Sequence, residues 1–344
     1  MNGDMWTTLR KKNIPVVLYG TGNGADKIAE ELRSRGVAVA GVFASSGFVR
    51  ERTFRGFRVM PYEECKRLFP DSPVLMCFGS SRPEVLKNAE HLMAENDFYV
   101  PDVPVYGSAL FDAPFYEAHT AELQSVRARL ADELSVKTFD NVISFKLSGK
   151  PRYLFECETS EYEADGIIKL GKNAVIADFG AYNGDTVQKY AALYPRYARI
   201  VAVEPDKRNF RKLGENTAEL RNVTCVNALV SDAVGESLVD GARGRGVHEA
   251  EKGAGIRSVT VDELFGDTGA DFLKFDVEGN ELAALRGAAR TIKKYRPAML
   301  VSCYHRSEDL FSLPEEIMSV REDYKIYLRK LPGLPAWDMQ YYFT

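Results

Sequence analysis

Cysteine is scarce and scattered in this chain. Cys65, Cys77, Cys157, Cys225 and Cys303 are odd in number, widely spaced and never arranged as Cys-x-x-Cys. That argues against a disulfide framework or a thiolate zinc site and suits a reducing compartment, the cytoplasm. Histidine is rarer still. His91, His119, His248 and His305 form no His-x-x-x-His pair, so no metal motif is expected. No apolar run approaches the ~20 residues of a membrane helix. Residues 1–13 are polar and lack the apolar centre of a signal peptide. An excess of one charge is missing too. The 45 Lys and Arg face 49 Asp and Glu, for a net charge of −4. No basic footprint for nucleic acid follows from that balance, and neither nucleic acid nor membrane is expected as a partner.

What is present is an ordinary globular composition, 45% hydrophobic and 27% charged, which rules out a disordered chain. At 344 residues, about two domains are expected. Apolar strand patterns at 16–19, 37–43 and 73–78 alternate with helical patterns after Gly20, at 61–68 and at 83–94. Residues 100–118, with Pro101, Pro104, Pro114 and several aromatics, read as a connector. Residues 118–133 read as a helix, and 138–163 show no clear period. A second strand–helix series follows. Its strands fall at 174–178, 199–203, 222–228, 271–275 and 298–303, and its helices at 207–216, 280–290 and 308–320. Residues 241–255 hold five glycines and read as a mobile loop or hairpin excursion. The tail at 325–328 and 339–343 reads as an antiparallel pair. Strand–helix alternation means parallel sheets covered by helices, so the fold class is α/β with two doubly wound units. The expected divisions are a Rossmann-like domain at 1–110, a helical connector at 111–165 and a second domain at 166–344.

The second unit carries the stronger chemical signal. A strand ending in Asp178 turns through Gly180 and Gly184 into a helix that opens with Asp185 and Thr186. Glycines let a backbone approach a ligand, and a helix start offers free amide donors. The next strand ends in Glu204-Pro205-Asp206, where a carboxylate can accept both hydroxyls of a ribose. The spacing Gly180-x-x-x-Gly184 departs from the Gly-x-Gly-x-x-Gly of dinucleotide sites. Asp178 and Asp185 flank the turn and would repel a pyrophosphate. They suit a ligand with a positive end, which favours S-adenosylmethionine over NAD. Asp276, Glu278 and Glu281 follow the fourth strand and His305 follows the fifth, at the edge where such sheets bind ligands. Carboxylates and one histidine there can position and deprotonate a hydroxyl. Each taken alone is more simply an acid at a helix start or a surface histidine.

Four motifs together resemble the FkbM family of S-adenosylmethionine-dependent methyltransferases. They are Asp178-Phe179-Gly180-Ala181-Tyr182-Asn183-Gly184-Asp185-Thr186, Val203-Glu204-Pro205-Asp206, Leu273-Lys274-Phe275-Asp276-Val277-Glu278-Gly279-Asn280-Glu281, and Tyr304-His305 followed by Asp309-Leu310. The resemblance spans about residues 130–344. It implies the class I methyltransferase fold, a Rossmann-like seven-stranded sheet whose last strand is antiparallel. It implies O-methylation of a sugar, glycan or secondary metabolite. By the same resemblance Asp178, Gly180, Ala181, Asn183 and Gly184 line the methionine end of the cofactor. Glu204 holds the ribose, with Pro205 beside it. Asn227, Ala228, Ser231 and Asp232 lie near the adenine. Asp276 and His305 face the methyl group. His305 is the first candidate base, since its ordinary pKa is near neutrality, and Asp276 is the second, as base or orienter. No metal is required by any motif, although Asp276, Glu278 and Asp309 are acids that could hold Mg²⁺. Phe275 and Asn280 depart from the family pattern at positions that touch packing more than chemistry.

The first unit is less explicit. Gly20-Thr21-Gly22-Asn23-Gly24 after a strand looks like a nucleotide turn, but the second strand ends in Phe43-Ala44-Ser45-Ser46, without a ribose-binding acid. A structural or substrate-presenting role is the favoured reading. Arg50, Arg52 and Arg55 could meet a phosphorylated substrate, or could form a solvated loop. Phe111, Phe115 and Tyr116 are expected to pack between domains. Tyr153, Tyr162 and Tyr182 stand where substrate could pass, and residues 334–337 could shape the choice of acceptor. Two other functions stay open. One is an NAD(P)- or nucleotide-sugar-dependent enzyme using the first glycine turn, and the other is a non-catalytic S-adenosylmethionine-binding protein. The acceptor is a small molecule or glycan, and a homodimer is a further possibility.

Overall fold

A computed structural model describes residues 3–49, 53–240, 248–249 and 254–344. The first unit is a six-stranded sheet of β1 (Val16–Tyr19), β2 (Val39–Phe43), β3 (Thr53–Phe54), β4 (Phe57–Met60), β5 (Val74–Met76) and β6 (Phe98–Tyr99), in the order β3-β4-β2-β1-β5-β6. All pairings are parallel except β3 with β4. Every side chain of β1 is buried, as a central parallel strand requires. The helix Asn23–Ser34 covers one face with Ala25, Ile28, Ala29 and Leu32, the one-sided helical spacing that the sequence displays.

Residues 113–165 are almost wholly helical. The expected helix at 118–133 is instead two, Ala113–Ala118 and Thr120–Ala128. The stretch without a period holds the longest helix of the connector, Glu133–Ser148. Its ends are well specified. Asp132 accepts from the Ser135 amide, and Gly149 adopts the left-handed conformation at φ +66° and returns its N–H to the Phe145 carbonyl. Its period is hidden because Ser135, Thr138 and Lys146 are buried with Phe139, Val142 and Phe145. Each of two buried polar residues has a tertiary partner. Ser135 Oγ accepts from the Leu328 amide at 3.0 Å, and Lys146 pairs with Asp102.

The second unit begins with β7 (Val175–Phe179), β8 (Arg199–Val203) and β9 (Val223–Val226). A four-stranded sheet follows, of β10 (Leu229–Val230), β11 (Gly235–Asp240), β12 (His248–Glu249) and β13 (Ala254–Val259), in the order β10-β13-β11-β12. The expected excursion at 241–255 is thus flanked by an antiparallel pair, β11 with β13. Residues 241–247 and 250–253 lie outside the described residues. β14 (Phe272–Phe275), β15 (Ala298–Ser302), β16 (Ile326–Lys330) and β17 (Met339–Phe343) complete the large sheet, ordered β16-β17-β15-β14-β7-β8-β9. β17 runs antiparallel between β15 and β16, and the other neighbours are parallel. The chain reverses its direction of sheet growth between β7 and β14, so the carboxyl ends of those strands open a crevice.

One continuous buried cluster runs from Val17 and Phe43 through Phe111 and Phe145 to Phe179 and Phe275. The units also meet through residues 331–338. Ser80 and Leu334 exchange backbone hydrogen bonds at 2.7 and 3.0 Å. Gly79 lies so close to the Trp337 ring that a Cβ there would sit 2.2 Å from it. The loop expected to shape acceptor choice is therefore a clasp onto the first unit. Among the described residues, no helix is long and apolar enough to cross a membrane.

Candidate active site

The turn after β7 is built against other parts of the chain. Gly180 (φ +80°) donates its N–H to Val203 O at 2.9 Å, and an added Cβ would stand 1.8 Å from the Asp276 carbonyl oxygen. Only a glycine lets this turn approach the end of β14. Gly184 (φ +88°) caps the helix Asp185–Leu193, and a Cβ there would press on Thr217 Cγ2 at 3.0 Å and Leu213 Cδ1 at 3.1 Å. Both glycines thus serve chain-on-chain contact. Ala181 is buried and donates to Val203 O. Asn183 accepts from the Asp185 amide through Oδ1 and from Asn216 Nδ2 through its carbonyl, and Asp185 accepts from the Thr186 amide.

Asp178 is fully buried and accepts from Lys274 Nζ at 2.9 Å, while its Oδ2 has no partner. Lys274 also stands 3.9 Å from Asp276. Burial works against the charge on Lys274, but Asp178 and Asp276 outweigh it and hold its pKa above the ordinary lysine value. Sequence reasoning missed Lys274. Its signal was there, a lysine inside the apolar strand Phe272-Leu273-Lys274-Phe275, which demands a buried counter-charge.

Glu204, just past β8, is nearly buried. Oε2 accepts from the Tyr182 amide at 2.8 Å and Oε1 from the Asp206 amide at 2.9 Å. Each oxygen keeps a lone pair for another donor. Burial pushes this carboxyl up to about 7, although the two amides pull it down. Asn227 donates from Nδ2 to the Glu204 and Pro205 carbonyls at 2.8 and 3.0 Å, so its amide secures this turn, and Ala228 is buried beneath it. Asn280 ties the neighbouring β10 in place by donating to the Val230 carbonyl at 2.7 Å, and Ser231 donates its amide to Val259 O. Asp232 is exposed beyond it.

At the ends of β14 and β15, His305 is 1% exposed. Its Nδ1 lies 3.0 Å from Glu281 Oε1, and its Nε2 lies 3.6 Å from Glu278 Oε2 and 3.8 Å from Asp276 Oδ1. Glu281 Oε1 also accepts the Val277 amide at 2.8 Å. Tyr304 donates its hydroxyl to Asp276 at 3.3 Å. Burial alone would lower the His305 pKa. Glu281, then Asp276 and Glu278, reverse that and push it up to about 10. His305 therefore carries its proton at neutral pH and is not poised as the base that an isolated histidine would be. Two acids beside it reach the surface, Glu278 at 3.6 Å and Asp276 at 3.8 Å. Tyr106, from the connector, closes this side. Its amide donates to His305 O at 2.9 Å, its hydroxyl bonds Glu278, and its ring lies 2.8 Å from the Cβ position of Gly279 (φ +91°). No sequence signal marked Tyr106, because nothing local says where an irregular segment crosses another domain.

Several other expected site residues lie elsewhere. Arg55 pairs with Asp26 at 2.9 Å and Glu30 at 3.4 Å on the helix Asn23–Ser34, and Arg50 and Arg52 fall outside the described residues. Tyr162 is exposed, and Tyr153 lies under Arg152. Tyr182 belongs to the turn, where φ is +46°. Phe111 is buried and its ring meets Phe115, which in turn meets Phe311. This is packing, as expected.

The sheet order, the antiparallel β17 and an acid at the end of β8 define the class I methyltransferase fold. Over its full length the chain superposes on a crystal structure of the methyltransferase FkbM from Methylobacillus flagellatus KT. It covers 91% of that chain with a TM-score of 0.75 at 21% identity, which establishes the shared fold. Weaker likenesses cover 53% of this chain. One is to a precorrin-6y C5,15-methyltransferase from Geobacter metallireducens GS-15 (85% of that chain, 16% identity, TM-score 0.35), and the other is to fibrillarin from Aeropyrum pernix with natively bound S-adenosyl-L-methionine (72% of that chain, 16% identity, TM-score 0.34). No curated protein matches the chain. Residues 178–325 match the model of the methyltransferase FkbM domain. This segment thus resembles the methyltransferase FkbM domain, and the match supports a methyltransferase role.

Proposed function

We propose that the protein transfers the methyl group of S-adenosylmethionine to a hydroxyl of a sugar, glycan or secondary metabolite. The observation that carries this reading is Glu204. It is a nearly buried carboxylate whose two oxygens are oriented by the Tyr182 and Asp206 amides and still have acceptor capacity, beside a turn flanked by acids. The orphaned Oδ2 of Asp178 and the exposed Asp185 give the adjoining end of the crevice the negative character that a sulfonium amino acid needs. When bound, the cofactor supplies a methyl carbon already activated by its sulfonium. The protein's task is then alignment of the acceptor oxygen with that carbon. As the O–C bond forms and the C–S bond breaks, the electron pair goes to sulfur and the hydroxyl proton must leave. Asp276 is the acceptor-side carboxylate placed to orient the hydroxyl and take that proton. His305, held as an imidazolium, fixes the carboxylates in place. Calorimetric titration with S-adenosylhomocysteine tests the cofactor assignment: micromolar binding is expected, and absence of binding at millimolar ligand would reject it. Retention of full turnover by Asp276→Asn on an identified acceptor would reject the role given to Asp276.

A further inference from the structure

The acceptor side gathers more negative charge than its cations balance. Asp178, Asp276, Glu278, Glu281 and Asp309 lie in one connected group. Against them stand Lys274, His305 and Arg306, and Arg306 sends its Nε to the Gly279 carbonyl at 2.7 Å. Acid clusters are common without an ion, and this one would mean little alone. The second observation is the histidine. His305 is almost completely buried, yet neither ring nitrogen makes a hydrogen bond of acceptable geometry, and the same is true of Glu281 Oε2. One donor atom from each of Asp276, Glu281 and His305 lies within 4.8 Å of the other two. Donors sharing an ion at roughly 2.1–2.2 Å stand about 3.0 Å apart at right angles and about 4.3 Å apart when opposed. The 3.0 Å from His305 Nδ1 to Glu281 Oε1 is the first of these spacings.

We infer that Asp276, Glu281 and His305 form a binding site for one divalent cation, of the class that accepts an imidazole among carboxylates, such as Mn²⁺. Water or an acceptor oxygen would complete its shell through the exposed side of Asp276. Resting on the function proposed above, the site deepens it: the cation displaces a proton from His305, so the imidazolium is the state of the metal-free chain. A hydroxyl bound to the cation would be more acidic; with the ion present Asp276 would orient the hydroxyl as a ligand, and the proton that Asp276 takes in the metal-free chain would pass to Glu278 as the O–C bond forms and the C–S bond breaks.

The probe is Mn²⁺, titrated into the full-length, chelator-treated chain and followed by the electron paramagnetic resonance of free Mn²⁺. One ion per chain with a micromolar Kd is expected. Asp276→Asn and His305→Gln should each weaken binding at least tenfold, with circular dichroism confirming the fold. Since Glu281 is buried and its variants endanger folding, the wild-type chain supplies a second readout, the hyperfine coupling of bound Mn²⁺ to an imidazole nitrogen. No binding at millimolar Mn²⁺, binding unchanged in both variants, or bound Mn²⁺ without nitrogen coupling would overturn the site and leave an imidazolium in an ion-pair network. Titration of the same sample with S-adenosylhomocysteine separates the two readings. Cofactor binding without Mn²⁺ binding rejects only the cation site, and Mn²⁺ binding without cofactor binding rejects only the methyltransferase chemistry.

Discussion

The turns at residues 20–24 and 180–184 share one plan: a buried parallel strand, a glycine at positive φ and a helix. Gly20 (φ +110°) packs against Phe78, and Gly180 (φ +80°) packs against the Asp276 carbonyl. What separates them is the neighbouring strand end. Beside the first turn, Phe43 stacks on Tyr19 with ring centroids 4.8 Å apart and planes within 2°, and the Tyr19 hydroxyl is bonded to Ser45. Lys27, one turn into the helix, spends its ammonium on the Pro104 and Val105 carbonyls at 2.8 and 2.9 Å, fastening the connector that carries Tyr106. Beside the second turn stands Glu204, with both oxygens oriented. A glycine turn is a way of packing a strand onto a helix, and the chemistry is decided by the residue that the adjacent strand delivers. The first unit is thereby read as a scaffold that holds Tyr106 over the acceptor side of the second.

This comparison can be broken at several points. The largest effect is expected at Lys274. Lys274→Met leaves Asp178 buried without its counter-charge, which should cost about 3–5 kcal/mol in urea unfolding at pH 7. A loss below ~1 kcal/mol would show that the pair is not the support of the second turn. Next is Glu204→Ala, which should weaken S-adenosylhomocysteine binding on the order of 100-fold by calorimetry, since it removes charged acceptors worth about 1.5–3 kcal/mol per hydrogen bond. NAD should give no heat, and micromolar NAD binding would return the chemistry to the first turn.

A pH series sharpens the same contrast. Burial raises Glu204 from its ordinary 4.5 to about 7 in the folded protein. In the free protein its contribution to stability is therefore fully present below pH 4.5 and is lost as pH rises through 7. A ribose needs the ionised form, so affinity for S-adenosylhomocysteine should increase from pH 6 to pH 8, by roughly tenfold per unit below 7. A flat profile would mean that Glu204 does not hold the ligand. The smallest effect is expected at Arg55. Its ion pairs with Asp26 and Glu30 are exposed and screened. Arg55→Ala should leave both melting temperature and cofactor affinity unchanged, and a clear loss of affinity would restore a substrate role to that loop.

Much of the fold was legible in the residues. β1, β8 and β17 fall where the apolar runs place them, because parallel and central strands bury both faces and read as continuous apolar segments. The helix Glu133–Ser148 was not legible, since Ser135, Thr138 and Lys146 sit inside and interrupt the apolar spacing. Its caps at Asp132 and Gly149 were the surviving signal. At the site, Asp178, Glu204, Asp276 and His305 could be picked out by their position at strand ends. Their states could not.

By its residues alone this chain determined two α/β units, the strand-end acids and a glycine turn flanked by acids. These follow from local spacing and charge. Only the tertiary structure decided that carboxylates surround His305 and raise its pKa, that Lys274 answers Asp178, that Gly180 packs on the end of β14, and that Tyr106 arrives from the connector. Burial and the distances between groups far apart in sequence set those outcomes. Both are properties of the packed molecule: desolvation and Coulomb attraction act across space, and no local pattern encodes which partner will stand three ångströms away.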